Sequence, residues 1–303
     1  MVSSNDDALN QEDYSVIEPC EEIYEFEESA PRAPAFNGLL KDAPQGSTSV
    51  VGGLSQQLIY QINLIIPDAL VSFDDLNVEL GDAAYPFVPP AGKEALRKAI
   101  NDCGKKLVVN SAYRTLAQQL LLFNWKGSNS NPVAKPGRSN HQSGLALDIQ
   151  DRSGWEPHLK RYGWHPLAGD PPHVDYKGTG AKDLREATIL AFQVLWNKNN
   201  PGDKLKEDGG YGDETEKRLN RSPAKGFEKA PWDEHPRTLR LSRPRMEGSD
   251  VFKLQEKLKA AGIDVGIDGE FGPGTDKAVK EFQAKKTLTA DGIVGLKTLT
   301  AIA

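Results

Sequence analysis

The stretch that decides the reading is Ser139-Asn140-His141-Gln142-Ser143-Gly144-Leu145-Ala146-Leu147-Asp148. From Leu145 the residues alternate, so Leu145, Leu147 and Ile149 fall on one side of an extended strand and Ala146 and Asp148 on the other. Asp148 therefore faces away from a leucine stripe, just after a glycine turn that can bring His141 alongside it. An imidazole nitrogen and a carboxylate oxygen converging on one point are natural ligands for zinc. Downstream, Gly169-Asp170-Pro171-Pro172-His173-Val174-Asp175-Tyr176 offers a second histidine on a predicted strand, its entry stiffened by two prolines. His141, Asp148 and His173 would supply three protein ligands and leave a fourth position for water, which is what separates a catalytic zinc site from a structural one. Zinc lowers the pKa of a bound water to roughly 7. Asp170, three residues before the last histidine, is placed to serve as general base.

A third element, Ser111-Ala112-Tyr113-Arg114-Thr115, ends a predicted strand and opens a helix. A guanidinium fixed at Arg114 suits a developing oxyanion or a substrate carboxylate, because it binds either in a bidentate fork. Taken singly, each residue has an ordinary alternative: a core histidine, a hydrogen-bonded buried carboxylate, a surface ion pair. The case lies in their combination.

Around this constellation the pattern is mixed. Leu54, Leu58 and Ile62 repeat at helical spacing, residues 93–101 and 116–125 read as helices, and 106–110, 144–150 and 173–176 as strands. The expectation is an α+β domain over residues 51–180, with a small antiparallel sheet and flanking helices. Residues 1–50 carry eleven acidic residues against Arg32 and Lys41, a net of −9 out of −6, leaving a body of +3. They read as an acidic disordered tail, and the weakly basic remainder suits an anionic polymer. No stretch resembles a nucleic-acid-binding patch, and no apolar run approaches the ~20 residues of a membrane span. The N-terminus lacks the basic start and apolar segment of a secretory signal. Cys20 and Cys103 read as free thiols.

The C-terminal third repeats itself. The string Asp-Gly-x-x-Gly-x-x-Thr occurs at 208–215, 268–275 and 291–298. Its glycines permit a tight loop, and its threonine is expected to cap the following helix by accepting a backbone N–H. The reading is a partial repeat over 181–222, either a second binding module or a piece that packs on the preceding domain, a proline-bearing linker over 223–240, and a complete all-α three-helix unit over 241–303.

The string Ser-x-His-x-x-Gly-x-Ala-x-Asp at 139–148 resembles the signature of the D-alanyl-D-alanine carboxypeptidase (VanY-type) zinc peptidases. Ser111 to Thr115 resembles the arginine motif of that family, and the Ala134-Lys135-Pro136-Gly137 turn also fits, so the likeness covers roughly residues 54–178. It implies a Zn2+ cofactor held by His141, Asp148 and His173. It implies that Arg114 stabilises the tetrahedral intermediate, and that Ser139 and Gln119 touch substrate or order the site. One departure is Asp170: carboxypeptidase members carry a glutamate shortly before the third ligand, whereas Asp-x-x-His is closer to the phage L-alanyl-D-glutamate endopeptidases of the same superfamily. Trp164 and His165, nearby, are read as wall or core residues.

Residues 241–303 resemble a three-helix peptidoglycan-binding domain through Leu254-Gln255, Asp268-Gly269-Glu270-Phe271-Gly272, Phe282-Gln283 and Asp291-Gly292. Together the resemblances imply a zinc metallopeptidase that hydrolyses peptidoglycan stem peptides in the periplasm or outside the cell. The C-terminal module would tether it to the wall. Two alternatives stay open: an endolysin-like or injected L-Ala-D-Glu endopeptidase, and a non-catalytic wall-binding scaffold. With no visible signal, the expected delivery is by lysis or by a phage-like apparatus that engages the N-terminal tail.

Overall fold

The computed structural model describes residues 36–126 and 133–302. The acidic stretch as far as residue 35, with Cys20, lies outside them. The central element is a five-stranded sheet in the order β2-β4-β5-β7-β6, built from β2 (Val78–Leu80), β4 (Leu107–Ser111), β5 (Ala146–Ile149), β6 (Trp164–Pro166) and β7 (His173–Tyr176). β5 runs antiparallel to both β4 and β7 and sits in the middle. A small ribbon pairs β1 (Val71–Ser72) with β3 (Phe87–Val88).

The sheet is not antiparallel throughout, as expected, because β2 pairs parallel with β4. Between these strands the chain crosses over through α2 (Pro90–Cys103), and a helical crossover returns the next strand in the same direction. α2 starts with a proline in its first turn and stops at Gly104, whose φ of 66° suits a residue without Cβ. It packs with α4 (Arg152–Arg161) on one face of the sheet. There Leu96, Leu147, Ile149, Leu159, Trp164 and Val174 form the core. Asp148 and His173, at alternate positions, are left on the other face.

Helices α1 (Gly52–Ile65), α3 (Leu116–Asn124), α5 (Arg185–Asn199) and α6 (Asp213–Asn220) pack on one another in a second cluster. α5 and α6 belong to the first repeat copy, which packs on the preceding domain. Residues 181–222 build no core of their own. Phe192, Leu195, Trp196 and Leu219 share one cluster with Leu54 and Leu58 of α1 and Leu116 and Leu120 of α3. Two short helices cannot bury their apolar faces alone, and α1 supplies the missing surface.

The part of the expected tail that the structure describes, from residue 36, is packed against the chain. Residues 38–40 pair with 222–224, Leu40 N–H donating to Ser222 O at 3.0 Å and Ala224 N–H to Gly38 O at 3.0 Å, and Leu40 is only 1% exposed. Residues 223–240 form an ordered strap that buries Ala224, Phe227, Ala230 and Trp232. Gln57 of α1 binds both the N–H and the C=O of Phe227, at 2.7 and 2.8 Å. Apolar residues spaced between the prolines hold this segment down.

The C-terminal unit consists of α7 (Ser249–Ala260), α8 (Pro273–Lys285) and α9 (Leu296–Ala301) around Val251, Leu258, Phe271, Val279 and Phe282. Its two repeat loops share one mechanism with the loop at 208–215. In each, a buried glutamine from the preceding helix accepts a glycine N–H through its carbonyl and donates to the loop aspartate and a loop carbonyl: Gln193 with Asp208, Gln255 with Asp268, Gln283 with Asp291. The second residue is a glycine with φ of 67°, 75° and 75°. The threonine does not cap by accepting, as expected. Three residues inside the helix, it donates its hydroxyl back to the loop carbonyls of Gly210, Glu270 and Ile293. Among the described residues no helix is long and apolar enough to cross a membrane.

Gln255→Met strips the Asp268 and Gly269 N–H groups of their acceptor and should cost the C-terminal unit about 2 kcal/mol. Native-state hydrogen exchange should accelerate roughly 30-fold in α7 to α9 while β5 and β7 keep their protection. An equal acceleration everywhere would show that the glutamine does not act locally.

Candidate active site

His141 sits on a 3-10 turn, Asn140–Ser143, that ends at Gly144 with φ of 76°. A Cβ at Gly144 would also stand only 3.2 Å from Leu70 and 3.3 Å from Leu184, so both backbone and space call for glycine there. The turn carries the His141 ring back over β5. In the sheet, Asp148 lies opposite Ser111 of β4 and His173 of β7. His141 Nε2 lies 3.2 Å from one Asp148 carboxylate oxygen and His173 Nδ1 lies 3.1 Å from the other. The two rings stand nearly perpendicular, 5.0 Å between centroids. One ligand atom from each of His141, Asp148 and His173 lies within 4.8 Å of the others, which makes the group a metal-sized nest.

The remaining ring nitrogens are also occupied. His141 Nδ1 is 2.8 Å from Ala112 O, and His173 Nε2 is 2.9 Å from an Asp175 oxygen. With protons on those outer nitrogens, the inner ones present lone pairs to the common point, and a backbone carbonyl and a carboxylate fix the ring orientations. The donor set of two imidazoles and a carboxylate fits zinc, and the two short pairs match the roughly 3.4 Å edge of a tetrahedron with bonds of about 2.1 Å.

The charges follow from this packing. Burial opposes ionisation of Asp148, but hydrogen bonds from His141 and His173 and the nearby Arg114 outweigh it and hold the carboxyl well below its usual range. Burial also opposes the charge on His173, yet Asp148 and Asp175 on either side push it up to about 9. His141 moves down, first through burial and then through Arg114. In the metal-free state the ionised Asp148 therefore holds a proton on His173, and a cation that enters the nest meets the carboxylate and displaces that proton.

Arg114 is partly buried and reaches to 3.8 Å from Asp148. Ser111 Oγ accepts from its Nη2 at 3.0 Å and Gln119 Oε1 from its Nη1 at 3.2 Å. Gln119 is 0% exposed, and its amide donates to Ala134 O at 2.7 Å. Both ends of this buried amide are in use, one of them on Arg114. Ser139 is buried at the start of the 3-10 turn. Asp170 is about half exposed, 47%, with one oxygen 4.0 Å from His173 Nδ1. Trp164 is fully buried against Tyr176, and His165 stands opposite Asp175 across β6 and β7.

Three further residues belong to the site. Asp175 orients His173, and Asn140 donates to Asp175 at 3.1 Å. His173 and Asp175 are two apart on one strand, so their shared face was available from period-two spacing. Thr188 of α5, 0% exposed, lies 2.7 Å from Tyr113 Oη and donates to Gln142 O at 3.2 Å. It thereby links the neighbours of Arg114 and His141, and nothing local in the sequence announces that contact.

Residues 91–167 match the family model described as "D-alanyl-D-alanine carboxypeptidase" (VanY), and residues 247–302 the one described as "Putative peptidoglycan binding domain". The chain therefore carries a VanY-type domain and a peptidoglycan-binding domain. The first match takes in Arg114, His141 and Asp148 and stops short of Asp170 and His173. Among curated relatives, a "Probable N-acetylmuramoyl-L-alanine amidase" of Bacillus licheniformis is 37% identical over 196 residues, covering 62% of this chain and 52% of that protein. A "Putative carboxypeptidase YodJ" of Bacillus subtilis (strain 168) is 34% identical over 103 residues, 30% of this chain and 34% of that protein. The chain thus spans about half of the one and a third of the other. A solved structure described as "Structure of the LdcB LD-carboxypeptidase reveals the molecular basis of peptidoglycan recognition" aligns over 41% of this chain and 73% of that one, at 24% identity and a TM-score of 0.31.

Removing the carboxylate behind His173 tests the nest without reference to any substrate. Asp175→Ala should lower zinc affinity ~10- to 100-fold, read by competition with a chromogenic chelator. An affinity equal to the parent's would remove Asp175 from the site.

Proposed function

We propose that the chain is a zinc-dependent peptidase that cuts the stem peptides of bacterial peptidoglycan at their D-alanyl end, with its C-terminal domain holding the wall. The observation that carries this reading is the convergence of His141 Nε2, the Asp148 carboxylate and His173 Nδ1 on one point, rimmed by Arg114 and Asp170. Those three residues would hold zinc. When bound, the ion supplies an acidified water and polarises the scissile carbonyl.

The chain's own groups supply the rest. Attack of water on a peptide carbonyl releases a proton and builds negative charge on the carbonyl oxygen. Asp170 is exposed enough to meet substrate and near enough to His173 to reach that proton. It accepts the proton and returns it to the leaving amine. Arg114, fixed by Ser111 and Gln119, offers a preorganised cation to the oxyanion, and burial strengthens its effect. Asp175 and Ala112 O keep the imidazoles from turning away.

The VanY match and the carboxypeptidase among the relatives support the D-Ala-D-Ala bond. An aspartate at position 170 instead of the glutamate usual in carboxypeptidases favours a second reading, an L-Ala-D-Glu endopeptidase with the same chemistry. Mass spectrometry of digested muropeptides separates them: loss of one terminal alanine supports the first, and cleavage beside the sugar-linked alanine the second. Binding of wall and zinc with no product at all would leave a scaffold protein.

A chelator should abolish hydrolysis and zinc should restore it. Asp170→Asn should lower kcat about 100-fold or more with zinc content unchanged, the usual size of a general-base contribution. Full turnover by that variant would take the proton-transfer role from Asp170.

A further inference from the structure

Away from the zinc nest, a cleft of about 440 Å³ opens between the catalytic domain and the segment that enters the C-terminal domain. This volume lies within the ~300–1,000 Å³ range of small-molecule sites. One wall is a face of α1 with the ribbon β1–β3, contributing Tyr60, Asp74, Tyr85 and Phe87; the other includes Arg237 and Arg240. None of these residues enters the chemistry above.

The walls are fixed. Tyr60 Oη donates to His235 O at 2.6 Å, and its ring meets Trp232 edge-on at 6.1 Å. Arg237 lies 3.6 Å over the Trp232 ring, grips Asp250 through Nε and Nη2, and donates to Gln56 Oε1 at 3.0 Å. Arg240 of one wall binds Asp74 of the other at 3.2 and 3.3 Å. A cleft held open by such contacts loses little entropy when it takes a ligand.

The lining also selects the ligand. The charges of Arg237 and Arg240 are already met by Asp250 and Asp74, so a free anion gains little from either guanidinium. Arg243, the third arginine of the lining, is engaged as well, and what remains is aromatic surface from Tyr60 and Phe87 beside Thr238 and the further lone pairs and N–H groups of side chains already bonded at one edge, such as Asp74, Asn63 and Arg240. Aromatic faces pack against the C–H faces of a pyranose, and the polar groups meet its hydroxyls and acetamido groups. From the cleft and its lining we infer that the junction of the two domains is a binding site for a neutral N-acetylated oligosaccharide, the glycan strand of the wall. The choice of sugar rests on the peptidoglycan reading; the site itself does not. The cleft also borders the catalytic machinery by a short path, since Tyr85 O accepts the N–H of Tyr113, the residue before Arg114. Glycan held here would present its stem peptides from the same rigid body.

The test titrates chitotetraose into the full-length zinc-loaded protein, following binding heat and intrinsic tryptophan fluorescence. Saturable binding is expected. It should weaken at least 10-fold in Tyr60→Ala, which removes a wall, and in Thr238→Trp, which fills the cleft. Both variants should cleave a glycan-free stem peptide at the parental rate while solubilising intact wall several-fold more slowly. No binding by the parent protein overturns the proposal. So does binding that survives Thr238→Trp, or binding lost only in Phe252→Ala, whose exposed ring lies on the C-terminal domain beside Gly269. Failure of the peptidase reading shows itself separately, as an uncleaved stem peptide in a protein that still binds chitotetraose.

Discussion

The carboxylate of Asp148 is the point on which the structure turns. A carboxylate drawn out of water is tolerated only if its oxygens are taken up. Here one oxygen faces His141 and Arg114 and the other faces His173. All three partners reach it because β5 is the middle strand, with β4 delivering the arginine loop on one side and β7 the histidine on the other. Register is therefore inseparable from chemistry. A slip of β7 by one residue would turn Val174 toward the charge and bury His173 among leucines. The apolar face of the same strands, Leu147, Ile149 and Val174, forbids that slip.

The first repeat copy shows how a second device was recruited to the same end. Its loop at 208–215 keeps the glutamine-to-aspartate bonding of the two C-terminal loops, which marks it as the same unit. Yet α5 is packed into the catalytic domain, where Thr188 ties Tyr113 to the carbonyl of Gln142. Tyr113 Oη, its proton held tightly by burial, has no water to turn to, so this bond defines where the chain stands on both sides of the site. The copy has become part of the wall behind Arg114 and His141.

These two supports explain what the sequence could reveal. His141, Asp148 and Arg114 were legible because each lies in a short string whose local geometry, a glycine turn or a strand end, brings it to bear. Strands 107–111 and 173–176 were legible from alternation. The parallel pairing of β2, the strand at 164–166 and the role of Thr188 were not, since each depends on contacts between distant segments that leave no local period. For Gln119 the sequence left two roles open, and its complete burial and its bond to Arg114 are known only from packing. The proline-bearing stretch 223–240 reads as a linker, and its prolines announce the absence of regular structure while saying nothing about whether Phe227 and Trp232 find a surface to bury against.

That strap changes what the C-terminal domain can do. A flexible tether raises the local concentration of every bond within its reach, and the gain falls slowly with length. Here Gln57, Tyr60 and Gln56 bind the strap and the first residues of the wall-binding domain at fixed distances, and Arg240 reaches back to Asp74. A domain so held cannot sweep an area. It sets one separation and one orientation between the C-terminal domain and the His141–Asp148–His173 nest. On the peptidase reading proposed above, discrimination among chemically similar stem peptides would then come from where each one stands relative to the anchor, as well as from the bond presented to the nest.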